Sequence, residues 1–80
     1  MTAIMYFRSG DADSQVMQEY LSGLGIGCNL RPIDVGDEAA LREWEGLDGE
    51  VTPLLVLDQR HIVRGLDRTR VDQLVGWIGC

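Results

Sequence analysis

Lysine is absent from this 80-residue sequence; all seven basic residues are arginines. Against thirteen acids they leave a formal charge of −6, a balance that argues against a phosphate-backbone partner. Histidine occurs once, and cysteine only at Cys28 and Cys80. Two such distant cysteines are not the dense framework of a small secreted domain, and with one histidine they disfavour a zinc site. No apolar run approaches the roughly 18 residues of a membrane span. The N-terminal residues also lack the pattern of a secretion signal. The expectation is a cytoplasmic protein with no nucleic-acid or membrane partner, and with residues 1–80 forming one domain around one core.

What is present is a regular alternation of apolar segments. "TAIMYF" (2–7) is nearly continuous in apolar character and suits a central strand buried on both faces. After it the period changes: Val16, Met17, Tyr20, Leu21 and Leu24 recur at helical spacing, with Asp11 as N-cap and Gly23, Gly25 and Gly27 closing the helix. "LRPIDV" (30–35) reads as a second strand, and Pro32 marks it as an edge because proline cannot donate to a ladder. A second helix is expected from near Asp37, with Ala40, Leu41, Trp44 and Leu47 along one side. Residues 54–58 and 61–64 predict a hairpin around "DQRH". The last helix shows Val71, Leu74, Val75 and Ile78 at i, i+3, i+4 and i+7.

The order is therefore β-α-β-α-β-β-α. A right-handed crossover makes the first two strands parallel, the hairpin adds antiparallel ones, and helices must cover both faces of the sheet. The predicted class is α/β, with a four-stranded mixed sheet and three helices.

With that order the chain resembles the glutaredoxins of the thioredoxin-fold superfamily. It is most similar to the short glutaredoxin-like proteins that include electron donors to ribonucleotide reductase. The likeness rests on Phe7 and Arg8 at the end of the first strand, on "IDVGDEAA", and above all on "VTPLLVLDQRHIVRGLDRTRVDQLVG". It implies a role connected with cell redox homeostasis, and a cis proline at Pro53 facing the first helix. The departure lies at the chemical centre. The family's C-x-x-C aligns with Asp11-Ala12-Asp13-Ser14, so no thiol stands where the reactive pair belongs. At a helix N-terminus a cysteine is held as thiolate, attacks a disulfide sulfur and forms a mixed disulfide. A carboxylate enjoys the same electrostatics but cannot make or release a sulfur–sulfur bond. Cys28 and Cys80 both fall toward the opposite end of the fold, which argues against either as a replacement.

The resemblance implies a ligand surface made of Arg8, Asp11, Ser14, Thr52, Pro53, Gly65, Leu66 and Asp67. Arg8 matches a basic position that helps hold a glutathione carboxylate. Thr52 would offer its backbone N–H and C=O to an extended cysteinyl peptide, and the amides of Gly65, Leu66 and Asp67 would receive a second carboxylate. Each position has a plainer reading beside it: Asp11 as an N-cap, Pro53 and Gly65 as backbone geometry. Trp44 and Trp77 read as core or helix-face anchors, and His61 as a turn or edge residue too distant for Ser14.

The expectation is a redox-inactive module that binds glutathione, a cysteinyl peptide or a protein partner, with no catalytic residue, no metal and no cofactor beyond glutathione itself. Three alternatives stay open: thiol–disulfide exchange through Cys28 or Cys80, transferase-like thiol activation by Ser9 or Ser14, and a structural subunit that binds through its sheet edge or second helix. Oligomeric state is not legible.

Overall fold

Strand β1 (Ala3–Phe7) lies at the heart of a computed structural model that describes residues 2–36 and 38–78. It pairs in parallel with β2 (Asn29–Pro32) and antiparallel with β3 (Leu54–Leu57), which pairs antiparallel with β4 (His61–Arg64). The sheet order is β2-β1-β3-β4. Helices α1 (Ala12–Gly23), α2 (Glu38–Gly46) and α3 (Arg68–Ile78) complete the predicted order and class.

The two-residue period of the central strands sorts their side chains between two cores. Ala3, Met5, Leu55 and Leu57 face α1 and α3, where Met17, Leu21, Val71 and Leu74 close over them. Ile4, Tyr6, Leu54 and Val56 face the other way, toward Ile33 and the Ala40 and Trp44 of α2. Every residue of β3 is buried, as a strand covered on both faces must be. Each fully buried leucine there contributes about 2 kcal/mol by removal from water. Pro32 sits on an edge strand, where its missing N–H costs no ladder bond.

Helix α1 starts and stops where local chemistry directs. Asp11 is extended and its side chain accepts from the Asp13 N–H. At the other end Gly25 takes φ +77°, the Gly25 N–H donates to Ser22 O, and the Ile26 N–H donates to Leu21 O. That pair of bonds is a Schellman closure, with Ile26 packing back on the core.

Four expectations need correction. β2 ends at Pro32 and not at residue 35: the Ile33 N–H still reaches Phe7 O, and the chain then bends. β3 stops at Leu57 because Asp58 turns with φ +56°. Val16, Leu24 and Leu41 lie on the exposed flanks of their helices, since each helix meets the sheet along a stripe narrower than the apolar spacing suggests. Trp77 is 74% exposed and anchors nothing in the core; its ring lies beside His61 instead. The side chain of Ile78, and Asp37 and Cys80 altogether, lie outside the described residues.

Candidate functional site

The end of β1 runs into a four-residue turn, Arg8 to Asp11, closed by the Asp11 N–H donating to Arg8 O at 3.1 Å. Gly10 takes φ +79° within it, a conformation that a side chain would strain. The turn delivers Asp11 to the N-terminus of α1, where the first amides of a helix lack internal partners and favour an anion.

The Asp11 carboxylate accepts three hydrogen bonds. Its Oδ1 accepts from the Asp13 N–H at 3.2 Å, while Oδ2 accepts from Ser14 Oγ at 2.8 Å and from Thr52 Oγ1 at 2.6 Å. The Thr52 hydroxyl contributes most to holding this carboxyl below its ordinary pKa, with smaller help from Ser14 and from the Asp13 and Ser14 amides; partial burial opposes them. Ser14 is 2% exposed, the one polar side chain in the core of the described residues, and its hydroxyl is satisfied by Asp11. An alcohol donating to a carboxylate in this way ties the helix start to its cap.

Thr52 also links the site to the far side of the sheet. The Thr52–Pro53 peptide bond is cis, and Pro53 O accepts from the Gly65 N–H at 2.8 Å. A continuous path of contacts therefore joins Ser14, Asp11, Thr52, Pro53 and Gly65. Among the described residues, neither the N–H nor the C=O of Thr52 makes an internal hydrogen bond. The three amides at the start of α3 are less open than the resemblance implies. Gly65 N–H is spent on Pro53, and Asp67 N–H on Gly65 O at 3.1 Å, which leaves Leu66. Asp67 itself is an N-cap, with its Oδ1 accepting from the Arg70 N–H at 2.9 Å, and Leu66 packs against the core.

Several features had no forecast in the sequence. The Arg8 guanidinium lies 5.3 Å above the Trp44 ring, a cation–π contact that orients it along the site wall. Trp44 is held in turn, its Nε1–H donating to Val51 O at 3.1 Å. Gly49 lies so close beneath that ring that a Cβ would stand 2.3 Å from it. Ser9 N–H donates to both Asp34 carboxylate oxygens at 3.0 Å. Behind Trp44, Tyr6 OH donates to Glu43, which also pairs with Arg31 at 2.8 Å. Burial first, and then Glu43, pushes the Tyr6 phenol up to about 12, so it stays a donor. A glycine preceding a Thr-Pro step by a few positions was the only sequence signal for any of this.

Between the Arg8–Asp11 turn and the Glu50–Thr52 segment lies an open groove of about 490 Å³. A smaller hollow of about 250 Å³ lies on the α1 side of the same turn, against Met5, Phe7 and Gln18. Solved structures with the same architecture include the glutaredoxin from Methanosarcina mazei Go1, at TM-score 0.80 and 15% identity over 94% of this chain and 78% of that one. The thioredoxin-like protein BC3987 aligns at TM-score 0.79 and 19% identity, over 91% and 99% of the two chains. The glutaredoxin from Archaeoglobus fulgidus aligns at 0.74 and 20%, over 91% and 84%.

The fold is thioredoxin-like. No family model and no curated protein sequence matches the chain, so the likeness is one of architecture. On this fold the sequence has no Cys-x-x-Cys pair, and the N-terminus of α1 carries Asp11 and Ser14.

The register of the sheet settles where Cys28 lies. Ile4 pairs with Asn29, and Ala3 with Leu57, so Cys28 stands at the start of β1 and Asp11 beyond its end. Cys28 is half-buried, and burial pushes its thiol pKa up, the reverse of what a nucleophile needs. His61 shares that far end, paired with Leu57 and out of reach of Ser14. Among the described residues no group of acidic, histidine or cysteine side chains is arranged to hold a metal, and no helix is long and apolar enough to cross a membrane.

Proposed function

We propose that this chain is a cytoplasmic thioredoxin-fold binding module, inactive in thiol–disulfide exchange, that recognises glutathione, a cysteinyl peptide or a protein partner at the Arg8–Asp11–Thr52–Gly65 surface. The observation that carries this reading is the hydrogen-bonded Asp11 carboxylate at the N-terminus of α1, where a thiolate would have to stand. Exchange requires a thiolate that attacks one sulfur of a disulfide and expels the other. An anion of the same sign occupies the same kind of position here, but it cannot form the mixed disulfide. What remains is the binding half of the machinery: a groove, an oriented guanidinium and an open pair of backbone groups at Thr52 that can pair with an extended peptide.

Two measurements test the reading together. In a disulfide-reduction assay the unmodified protein is expected to show no turnover above background, and clear turnover would defeat the claim of inactivity. In an amide chemical-shift titration with reduced glutathione or a short cysteinyl peptide, at least one ligand should move the signals of Arg8, Thr52 and Leu66. A titration that leaves all of them in place at millimolar ligand removes the small thiol ligands and leaves only a protein partner.

A further inference from the structure

We infer that the natural occupant of the groove is a basic, extended segment of a partner protein, which continues from the Asp11–Thr52 groove across the Ser9–Asp34 contact to the exposed edge of α2. The inference rests on the binding reading above and selects one of its ligand classes.

Three observations carry it. First, the groove does not end at the turn. Ser9 borders the groove, and Asp34 borders a second hollow of about 260 Å³ whose floor is Ile33 and Leu41. The paired hydrogen bonds from the Ser9 N–H to Asp34 join the two hollows at one wall. Second, this track exposes apolar side chains that the core could have taken: Val51 is 41% exposed in the first hollow and Leu41 36% in the second, with Val35 at 54% in the adjoining bend. Apolar surface rimmed by charge is the usual mark of a protein contact.

Third, the rim is mostly of one sign, acidic apart from Arg8. Asp11 and Glu50 border the first hollow, Asp34 and Glu38 the second. From residue 34 to residue 50 the sequence places seven acids against one arginine. Glu38 meets that arginine, Arg42, only at 3.9 Å with both side chains in solvent, and Glu50 has no ion-pair partner among the described residues. The one cation of the groove, Arg8, lies over Trp44. Glutathione carries more carboxylate than ammonium and would meet like charge along most of this track. A segment with arginine or lysine on either side of an apolar residue meets opposite charge at both hollows and apolar surface between them.

The test uses short blocked peptides that alternate arginine with leucine, followed by amide chemical shifts on the full chain. Binding is expected to move Ser9, Gly36, Leu41, Val51 and Thr52, and to weaken as salt is raised. Replacing both Glu38→Gln and Glu50→Gln, two exposed positions, should weaken it roughly fivefold. Glu19→Gln, exposed on α1, should leave it unchanged. The same peptide with glutamate for arginine, or with serine for leucine, should bind clearly less well, and equal binding by either overturns the inference. If glutathione moves Thr52 while the arginine peptide moves nothing, the basic-segment inference fails and the groove reading stands. If neither ligand produces a shift, the groove reading fails and takes the inference with it.

Discussion

The two ends of the sheet both carry polar and reactive side chains, and they are organised very differently. At the end where β1 finishes, Asp11, Ser14 and Thr52 are bonded to one another, Arg8 is stacked on Trp44, and Pro53 is tied to Gly65. At the end where β1 begins, Cys28, His61 and Trp77 have a single ring contact among them, His61 to Trp77 at 6.0 Å. A site is distinguished by partners whose positions are mutually determined, and among the described residues the first end has that property. Among the described residues, Cys28 and His61 lie at the other end. Burial there pushes the Cys28 thiol pKa up, the reverse of what tunes a nucleophile.

The largest effect expected from this contrast is a gain. Replacing Asp11→Cys and Ser14→Cys together puts thiols into the organised end, and the free helix amides that now face a carboxylate would then face a thiolate. Disulfide-reduction turnover should rise from background to a readily measured rate, and the first thiol should titrate below the ordinary value of about 8.5. A folded double variant with no turnover and an ordinary thiol pKa would break the comparison, because the first end would then be organised without being electrostatically special.

Much of the fold was legible because it follows from spacing. The helical spacing of Met17, Tyr20 and Leu21, the apolar run of Leu54 to Leu57, and the glycine at position 25 each have a local physical cause. The candidate site was legible only in part. Asp11 as a cap and Thr52 beside Pro53 could be read from the chain, but the hydrogen bond between Asp11 and Thr52 spans 41 positions and depends on how α1 meets the start of β3. The stacking of Arg8 on Trp44, 36 positions away in the sequence, is likewise a product of α2 packing on the second face. Trp77 was misread because a large aromatic on an amphipathic helix usually faces inward, whereas its position on α3 lies to the side of the Val71–Leu74 stripe.

A second, smaller effect sharpens the contrast in stability. Asp11→Ala removes an N-cap and leaves the buried Ser14 hydroxyl without its acceptor, a loss of about 2 kcal/mol in urea unfolding. Asp11→Asn keeps an acceptor and should cost about half as much. Their pH dependence has a fixed sign. Because the folded carboxyl is held below its ordinary value, chiefly by Thr52, the stabilisation from Asp11 is full above the normal carboxyl range. It is lost as pH falls through the lowered folded value. Acid unfolding of Asp11→Asn should therefore be shallower than that of the unmodified protein across this window. An identical acid slope in both proteins would mean that Asp11 is no more strongly held than a solvent-exposed carboxylate.

The smallest effect belongs to the other end, and it is the most demanding part of the comparison because it predicts near silence. Trp77→Ala removes the largest exposed aromatic, yet the residue is 74% exposed and its one ring contact among the described residues is with His61. Unfolding stability should change by no more than about 0.5 kcal/mol, the range of an ordinary surface substitution. Binding of the arginine–leucine peptide should also be unaffected, since Trp77 and the groove stand at opposite ends of β4 and α3. A loss on the scale of Asp11→Ala would show that the aromatic pair is a true structural contact. The far end would then be organised after all, through rings in place of hydrogen bonds.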